Sequence, residues 1–226
     1  PILLKPSLTE EQIARFAVNQ YKYPSLDVRP YFKRNYLYGE AMTHILGYVG
    51  RINDRDVERL KKEEKFANYS GSTDMGKLGI ERYYEEQLHG TTGFEEVEIN
   101  NRGKVIRKLR EQPATAGKSI HLTIDFTLQR FIMSLLSGQK GAVVVLDPKD
   151  NSVLAMVSTP SYDNNLFVDG ISSSDYKRLL EDPTRPLYSR ATQGVYPPAS
   201  TVKPFVAVAA LTEGVITPNT TIFDPG

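Results

Sequence analysis

The 226 residues contain no cysteine. This excludes disulfide bridges, a cysteine nucleophile and thiolate metal sites within the stretch, and it leaves the compartment open. No apolar run approaches the about 20 residues a membrane-crossing helix needs, and no signal-peptide pattern is visible. Excess charge is missing too. Lys and Arg number 28 against 27 Asp and Glu, a net charge of +1, which gives no support to bulk nucleic-acid binding. No internal repeat or low-complexity segment stands out. What remains is 40% hydrophobic residues, enough for a real core, in a length that fits one large or two small domains. The chain opens with Pro1 rather than Met. It is therefore expected to be a piece of a longer protein, with any membrane anchor upstream.

The chemistry-bearing stretch is Tyr196-Pro197-Pro198-Ala199-Ser200-Thr201-Val202-Lys203-Pro204, a polar turn running into the apolar Phe205 to Leu211. Residues three apart share a helix face, so Lys203 would stand one turn from the Ser200 hydroxyl. A serine becomes a nucleophile when a base takes its proton, and a lysine is such a base only where burial or positive charge loosens its own proton. The helix after Ser200 is apolar all round, which predicts burial. Its first turn offers free N–H groups to developing negative charge. Spacing alone leaves catalysis and a plain structural turn both open. Ser137-Gly138-Gln139-Lys140 and Ser174-Asp175-Tyr176-Lys177 carry the same S-x-x-K pattern, the first in a glycine-flanked turn and the second opening a solvated helix.

Elsewhere the sequence predicts a helix after Ser7, with Ser7 as its cap and Glu10 completing a capping box, running to about Tyr21. Val28 to Tyr38 reads as a strand with a basic outer edge, and Ala41 to Gly50 as a short helix leading into a strand. Residues 54–65 form a charged, solvated helix. Gly71-Ser72-Thr73-Asp74-Met75-Gly76-Lys77-Leu78 nearly spells a phosphate-binding loop. Leu78 replaces the required hydroxyl and no buried strand precedes it, so nucleotide binding is rejected. Phe94 to Asn100 and Val105 to Leu109 alternate as the arms of a hairpin turned at 101–104. The turn-rich stretch 111–117 marks a domain boundary, dividing 1–117 from 118–226.

Beyond it, 120–124 alternates as a strand with His121 on the polar face. Asp125 caps a helix whose stripe is Leu128, Phe131, Ile132, Leu135 and Leu136. Residues 141–146 form a buried strand, returned antiparallel by 153–157. A loop over 162–169, a helix over 172–180 and an irregular 184–194 lead to Ser200. His44 has no partner at metal-ligand spacing and reads as a hydrogen-bonded structural residue. Glu81 reads as a structural carboxylate paired with a base such as Arg102.

Tyr196 to Phe205 closely resembles the active-serine motif of class B penicillin-binding proteins. Arg190-Ala191-Thr192-Gln193-Gly194 and Ser158-Thr159-Pro160-Ser161-Tyr162-Asp163 are similar to segments preceding it in the elongation-specific members. Gly76 to Tyr84, followed by Leu88-His89-Gly90, resembles a signature of their non-catalytic pedestal. The strand, helix and hairpin after Lys118 resemble the opening of the penicillin-recognising fold. One departure is Ala199, where the family usually has glycine; alanine fits if φ there is negative.

The resemblance covers nearly the whole chain and implies an α+β fold. An elongated pedestal of the dimerisation type, 1–117, precedes the N-terminal part of a serine transpeptidase domain, 118–226, an antiparallel sheet with flanking helices. It implies a D,D-transpeptidase that cross-links peptidoglycan stem peptides, with Ser200 as nucleophile, Lys203 as its base and no cofactor. β-Lactams would acylate the same serine. The implied partners are a membrane glycosyltransferase and scaffold proteins of the elongation machinery, on the periplasmic side of an inner membrane that an upstream helix anchors. The family's S-x-N and K-T-G elements are absent from these 226 residues. The fragment alone is expected to be inactive, with 184–226 poorly packed or held by other chain. A carboxypeptidase or β-lactamase of the same fold, and a non-catalytic β-lactam sensor or interaction platform, remain alternatives.

Overall fold

Short antiparallel hairpins and short helices alternate along the chain, an α+β arrangement. The computed structural model describes residues 4–5, 7–101 and 105–224, which divide into two compact units, Pro1–Thr192 and Gln193–Gly226.

The first unit opens with helix α1, Glu10–Asn19. Its capping box is made by Thr9 and Gln12, not by Ser7 and Glu10, and Ser7 sits at φ +52°. The expected strand over 28–38 is not formed. The segment is extended but unladdered, tied down by side chains at its end: Arg34 and Tyr36 bind Glu81, and Lys33 binds Asp169.

Helix α2, Thr43–Leu46, leads as expected into strand β1, Val49–Arg51. Helix α3, Asp54–Lys62, is capped by Asn53, and α4 spans Phe66–Tyr69. Strand β2, Asp74–Gly76, pairs antiparallel with β1. Leu60, Tyr69 and Met75 close a small core beneath them, with Ile52 packed alongside. Helices α5, Gly79–Tyr83, and α6, Glu85–His89, follow. Gly79 has φ +59° and lies so close to the Ile45 carbonyl that a side chain would collide with it. Strands β3, Phe94–Ile99, and β4, Val105–Gln112, form the expected hairpin, exposed along most of its length; its turn falls partly outside the described residues.

From 119 to 125 the backbone is extended without forming a ladder strand, although the expected alternation holds in its burial. Asp125 caps α7, Phe126–Leu135, by accepting the Leu128 N–H. The apolar stripe of α7 is only half covered: Ile132 is buried, whereas Phe131 and Leu135 are 58% and 61% exposed. Strands β5, Gly141–Leu146, and β6, Val153–Thr159, pair antiparallel. Ile132, Ala155 and Val157 form the core between α7 and this hairpin. The strand expected to be buried, β5, covers only one face, because Val144 and Leu146 point outward and are half exposed. The expected loop over 162–169 contains a 3-10 turn, Asn164–Phe167, and buries Tyr162, Asn164, Phe167 and Val168. Helix α8, Ser173–Glu181, forms as expected and is capped by Ser172. Residues 184–192 pack into this unit, Pro186 and Ser189 being buried, contrary to the expectation of poor packing there. They include the start of a short helix α9, Arg190–Gln193.

The second unit holds one substantial helix, α10, Lys203–Thr212. Gly214, at φ +67°, ends it: its N–H reaches the Leu211 carbonyl and the Val215 N–H reaches that of Ala210.

Candidate active site

A 3-10 turn over Ala199–Val202 runs directly into α10. Pro197 and Pro198 fix the approach, and Pro204 sits in the first turn of α10, where its missing N–H costs nothing. The Thr201 N–H and hydroxyl both donate to the Pro198 carbonyl. The Lys203 N–H donates to the Ser200 carbonyl. In a turn closed by such a bond residues three apart eclipse one another, so Ser200 and Lys203 rise from the same side. No hydrogen bond joins the two side chains among the described residues. Ala199 has φ +47°, against the expectation of a negative value, so alanine occupies a left-handed position that favours glycine.

The expected burial of the helix is absent. No residue of α10 is buried, and Phe205, Val206, Val208 and Leu211 are 42–75% exposed. Ser200 and Lys203 are exposed as well. Within this unit the turn sets Ser200 and Lys203 on one side, both exposed, without the burial that a lysine base requires.

The two other S-x-x-K matches are structural. Ser137 closes the turn after α7 and Lys140 donates to the Pro183 carbonyl at 3.4 Å. Ser174 and Lys177 lie on α8, where Lys177 pairs with Glu181 at 3.8 Å. The near phosphate loop is likewise accounted for: Lys77 pairs with Asp56, and a side chain at Gly76 would run into the Glu81 carbonyl.

Glu81 is structural, but its basic partner is Arg34, and Arg102 lies outside the described residues. Arg34 Nε and Nη2 reach the two carboxylate oxygens at 2.8 and 3.1 Å, and the Tyr36 hydroxyl donates to one of them at 3.2 Å. Burial pushes the Glu81 carboxyl above the ordinary range, with Arg34 and Tyr36 opposing the shift. His121 is exposed, as expected. His44 is a structural residue, as expected, whose ring lies against the backbone of Pro160 and Pro186. Its Nε2 is buried without a hydrogen-bond partner, its ring stands edge-on to Tyr162 at 5.7 Å, and burial pulls its pKa down.

Sequence reasoning missed three amides that the structure makes central, Gln129, Asn164 and Asn165. Gln129 interrupts an apolar helix pattern and the two asparagines sit in an apparent loop. None carried a motif.

Comparison with known proteins places these features in a family. Residues 1–122 match the family model described as the penicillin-binding protein dimerisation domain, and 141–226 match the penicillin-binding protein transpeptidase domain. The peptidoglycan D,D-transpeptidase MrdA of Haemophilus influenzae is 83% identical over 226 residues, all of this chain and 35% of that protein. Its namesake from Escherichia coli K12 is 64% identical over 225 residues, 36% of that protein. The chain thus spans about a third of the length of the curated relatives it matches. Among solved structures, Pseudomonas aeruginosa PBP2 in complex with WCK 5153 is similar with a TM-score of 0.69 and 46% identity, over 88% of this chain and 39% of that one. Helicobacter pylori PBP2, in complex with MreC, gives a TM-score of 0.80 and 28% identity, over 97% of this chain and 41% of that one. A dimerisation domain that leads into the start of a transpeptidase domain, with a Ser-x-x-Lys turn at the head of α10, makes this chain a member of the penicillin-binding protein family.

Proposed function

We propose that the protein carrying this chain is a peptidoglycan D,D-transpeptidase of cell elongation, acting through an acyl-enzyme on Ser200. The observation that carries this reading is the single turn holding Ser200 and Lys203 on one side, inside the stretch that matches the transpeptidase domain. Lys203 takes the Ser200 proton as Oγ attacks the carbonyl carbon of the penultimate D-alanine in a stem peptide. The tetrahedral oxyanion is held by backbone N–H groups, that of Ser200 among them. Collapse breaks the peptide bond, and the terminal D-alanine leaves with the proton returned through Lys203. An amine from a neighbouring stem then attacks the ester, forming the cross-link and freeing Ser200. β-Lactams acylate the same oxygen.

Residues 1–117 serve as a pedestal with no chemistry of its own, and 118–226 begin the catalytic domain. The pedestal meets scaffold and glycosyltransferase partners, a reading supported by the complex of the H. pylori relative with MreC. The protein works on the periplasmic face of the inner membrane, held by a segment outside these residues. Among the described residues no helix is long and apolar enough to cross a membrane.

The test is mass spectrometry of the full-length protein after exposure to a fluorescent β-lactam. The adduct is expected on the peptide containing Ser200 and is lost in Ser200→Ala. Lys203→Arg should slow acylation by about 10²–10⁴-fold, the range for a missing proton-transfer group. The 226 residues alone should take up no label. An adduct that persists in Ser200→Ala, or forms on another residue, overturns the assignment. No adduct at all favours a non-catalytic platform.

A further inference from the structure

The two family matches part between residues 122 and 141, yet the first compact unit runs unbroken to Thr192. Something locks the start of the transpeptidase domain onto the dimerisation domain, and the bonds across the seam show what. Gln129, on α7 and 2% exposed, donates from Nε2 to the carbonyls of Ala41 at 2.8 Å and Met156 at 2.9 Å, and its Oε1 accepts the Met156 N–H at 2.8 Å. Asn164, fully buried, donates to the Gly47 carbonyl at 2.7 Å. Asn165 accepts the Tyr36 N–H and donates to the Tyr36 carbonyl, both at 2.9 Å, as a strand partner would.

We infer that these three side-chain amides form a clasp that fixes the orientation of the dimerisation domain on the transpeptidase domain, with Asn165 as its principal positioning residue. All three grip backbone of the 36–47 segment, so the joint does not depend on the side chains they face. An amide donates and accepts without carrying charge. It crosses a buried seam without the desolvation penalty of an ion pair and ignores both salt and pH. Among the described residues the one ion pair in the seam, Lys33 with Asp169 at 3.0 Å, is at its exposed rim, with side chains 45% and 36% accessible. It is a minor contributor. Thr43, donating to the Tyr162 carbonyl at 2.6 Å, Ser161, donating to the Glu40 carbonyl at 2.8 Å, and the ring pairs Tyr48–Phe167 and Tyr38–Phe126 also cross the seam. The two buried polar side-chain atoms left without a partner among the described residues, Asn164 Oδ1 and His44 Nε2, both belong to this seam. Orphans of this kind lower the net gain of closure, and the satisfied amide bonds outweigh them.

These 226 residues hold no cysteine that would compete for the label, and any cysteine elsewhere in the full-length protein is first replaced by serine. Spin labels on cysteines introduced at exposed Lys62 and Lys149 of the full-length protein report the distance across the seam. One narrow distance population is expected, unchanged by about 1 M salt, where exposed ion pairs are screened. Asn164→Ala with Asn165→Ala should split or broaden it, Asn165→Asp, which sets a second acceptor against the Tyr36 carbonyl and the Asp163 carboxylate, should do so too, and Lys33→Ala should leave it as it is. A folded double variant with the wild-type distribution overturns the inference, as does broadening of the wild type by salt. Should the double variant not fold, hydrogen exchange in the unaltered protein decides. The Tyr36 amide, whose acceptor is Asn165, should exchange at least about tenfold more slowly than a free peptide. Exchange at the free rate overturns the clasp.

Discussion

Arg34→Ala is the perturbation whose outcome follows most directly from the geometry. It removes both nitrogens that meet the Glu81 carboxylate and leaves that 6% exposed group with the Tyr36 hydroxyl as its remaining donor. Tyr36 is itself committed, since its oxygen accepts the Val49 N–H at 2.8 Å. Stripping the partner from a fully buried charge costs about 3–5 kcal/mol. The Arg34 side chain is 39% exposed, so water can enter the space it vacates, and about 2 kcal/mol is the fitting expectation.

The pH dependence follows from the sign of the shift. Burial already holds the folded-state pKa of Glu81 above 4.5, so its contribution to stability is fully present below that value and is lost as pH rises through the folded pKa. Removing Arg34 drives the pKa further up and deepens the loss at neutral pH. Near pH 4 the carboxyl is largely protonated in the unfolded chain and more so in the fold, and the cost of Arg34→Ala should shrink toward about 1 kcal/mol, the worth of an ordinary hydrogen bond. Urea unfolding followed by far-UV circular dichroism, at about pH 7.5 and about pH 4, checks this on the wild type, Arg34→Ala, Glu81→Gln and the double variant. A cost that is equal at both pH values, or a double variant no better than Arg34→Ala, would refute the reasoning.

Two further substitutions test local claims. Ala199→Gly should relieve the left-handed strain at φ +47°. The relief of about 1–2 kcal/mol, less about 0.5–1 for the freer unfolded chain, should slow hydrogen exchange over 199–203 several-fold; faster exchange would show the strain is not there. His44→Leu should flatten the acid limb of stability. A histidine whose folded pKa lies below 6.5 contributes stability above that pH and loses it as pH falls through the folded pKa. The wild type should therefore weaken more than the variant between about pH 6.5 and about pH 5, and equal slopes in urea titrations would contradict this.

Elements whose stability is local were legible in the sequence. The hairpin β3–β4 announces itself by alternation, β5–β6 by two apolar runs about a turn, and α7 by Asp125 at its cap. One local signal misleads: Ser7 with Glu10 fits the spacing of a capping box, but the backbone places the box two residues later, on Thr9 and Gln12. What was not legible depends on contacts far apart in the chain. Residues 28–38 have strand-like composition, but their backbone finds Asn165, 129 positions away, in place of a neighbouring strand. The 162–169 loop looked like a connector because its amides hydrogen-bond to backbone, and bonds to backbone leave no complementary side-chain pattern to read.

The Ser200 helix shows the other way sequence and structure diverge. The pattern Phe205 to Leu211 is apolar on every side and predicts burial, yet α10 stands half in water. A pattern of this kind reports the surroundings a helix is built for. At ten residues α10 is too short to be stable by propensity alone, and its apolar surface has to be covered for it to persist. The same cover would draw water away from Lys203, which is what the proposed proton transfer needs from a lysine. Helix stability and serine reactivity are thus asked of one shell of protein around α10. Substitutions on its exposed apolar face, such as Val206→Asp, belong with Lys203 in any reading of acylation rates, although they touch neither reacting group.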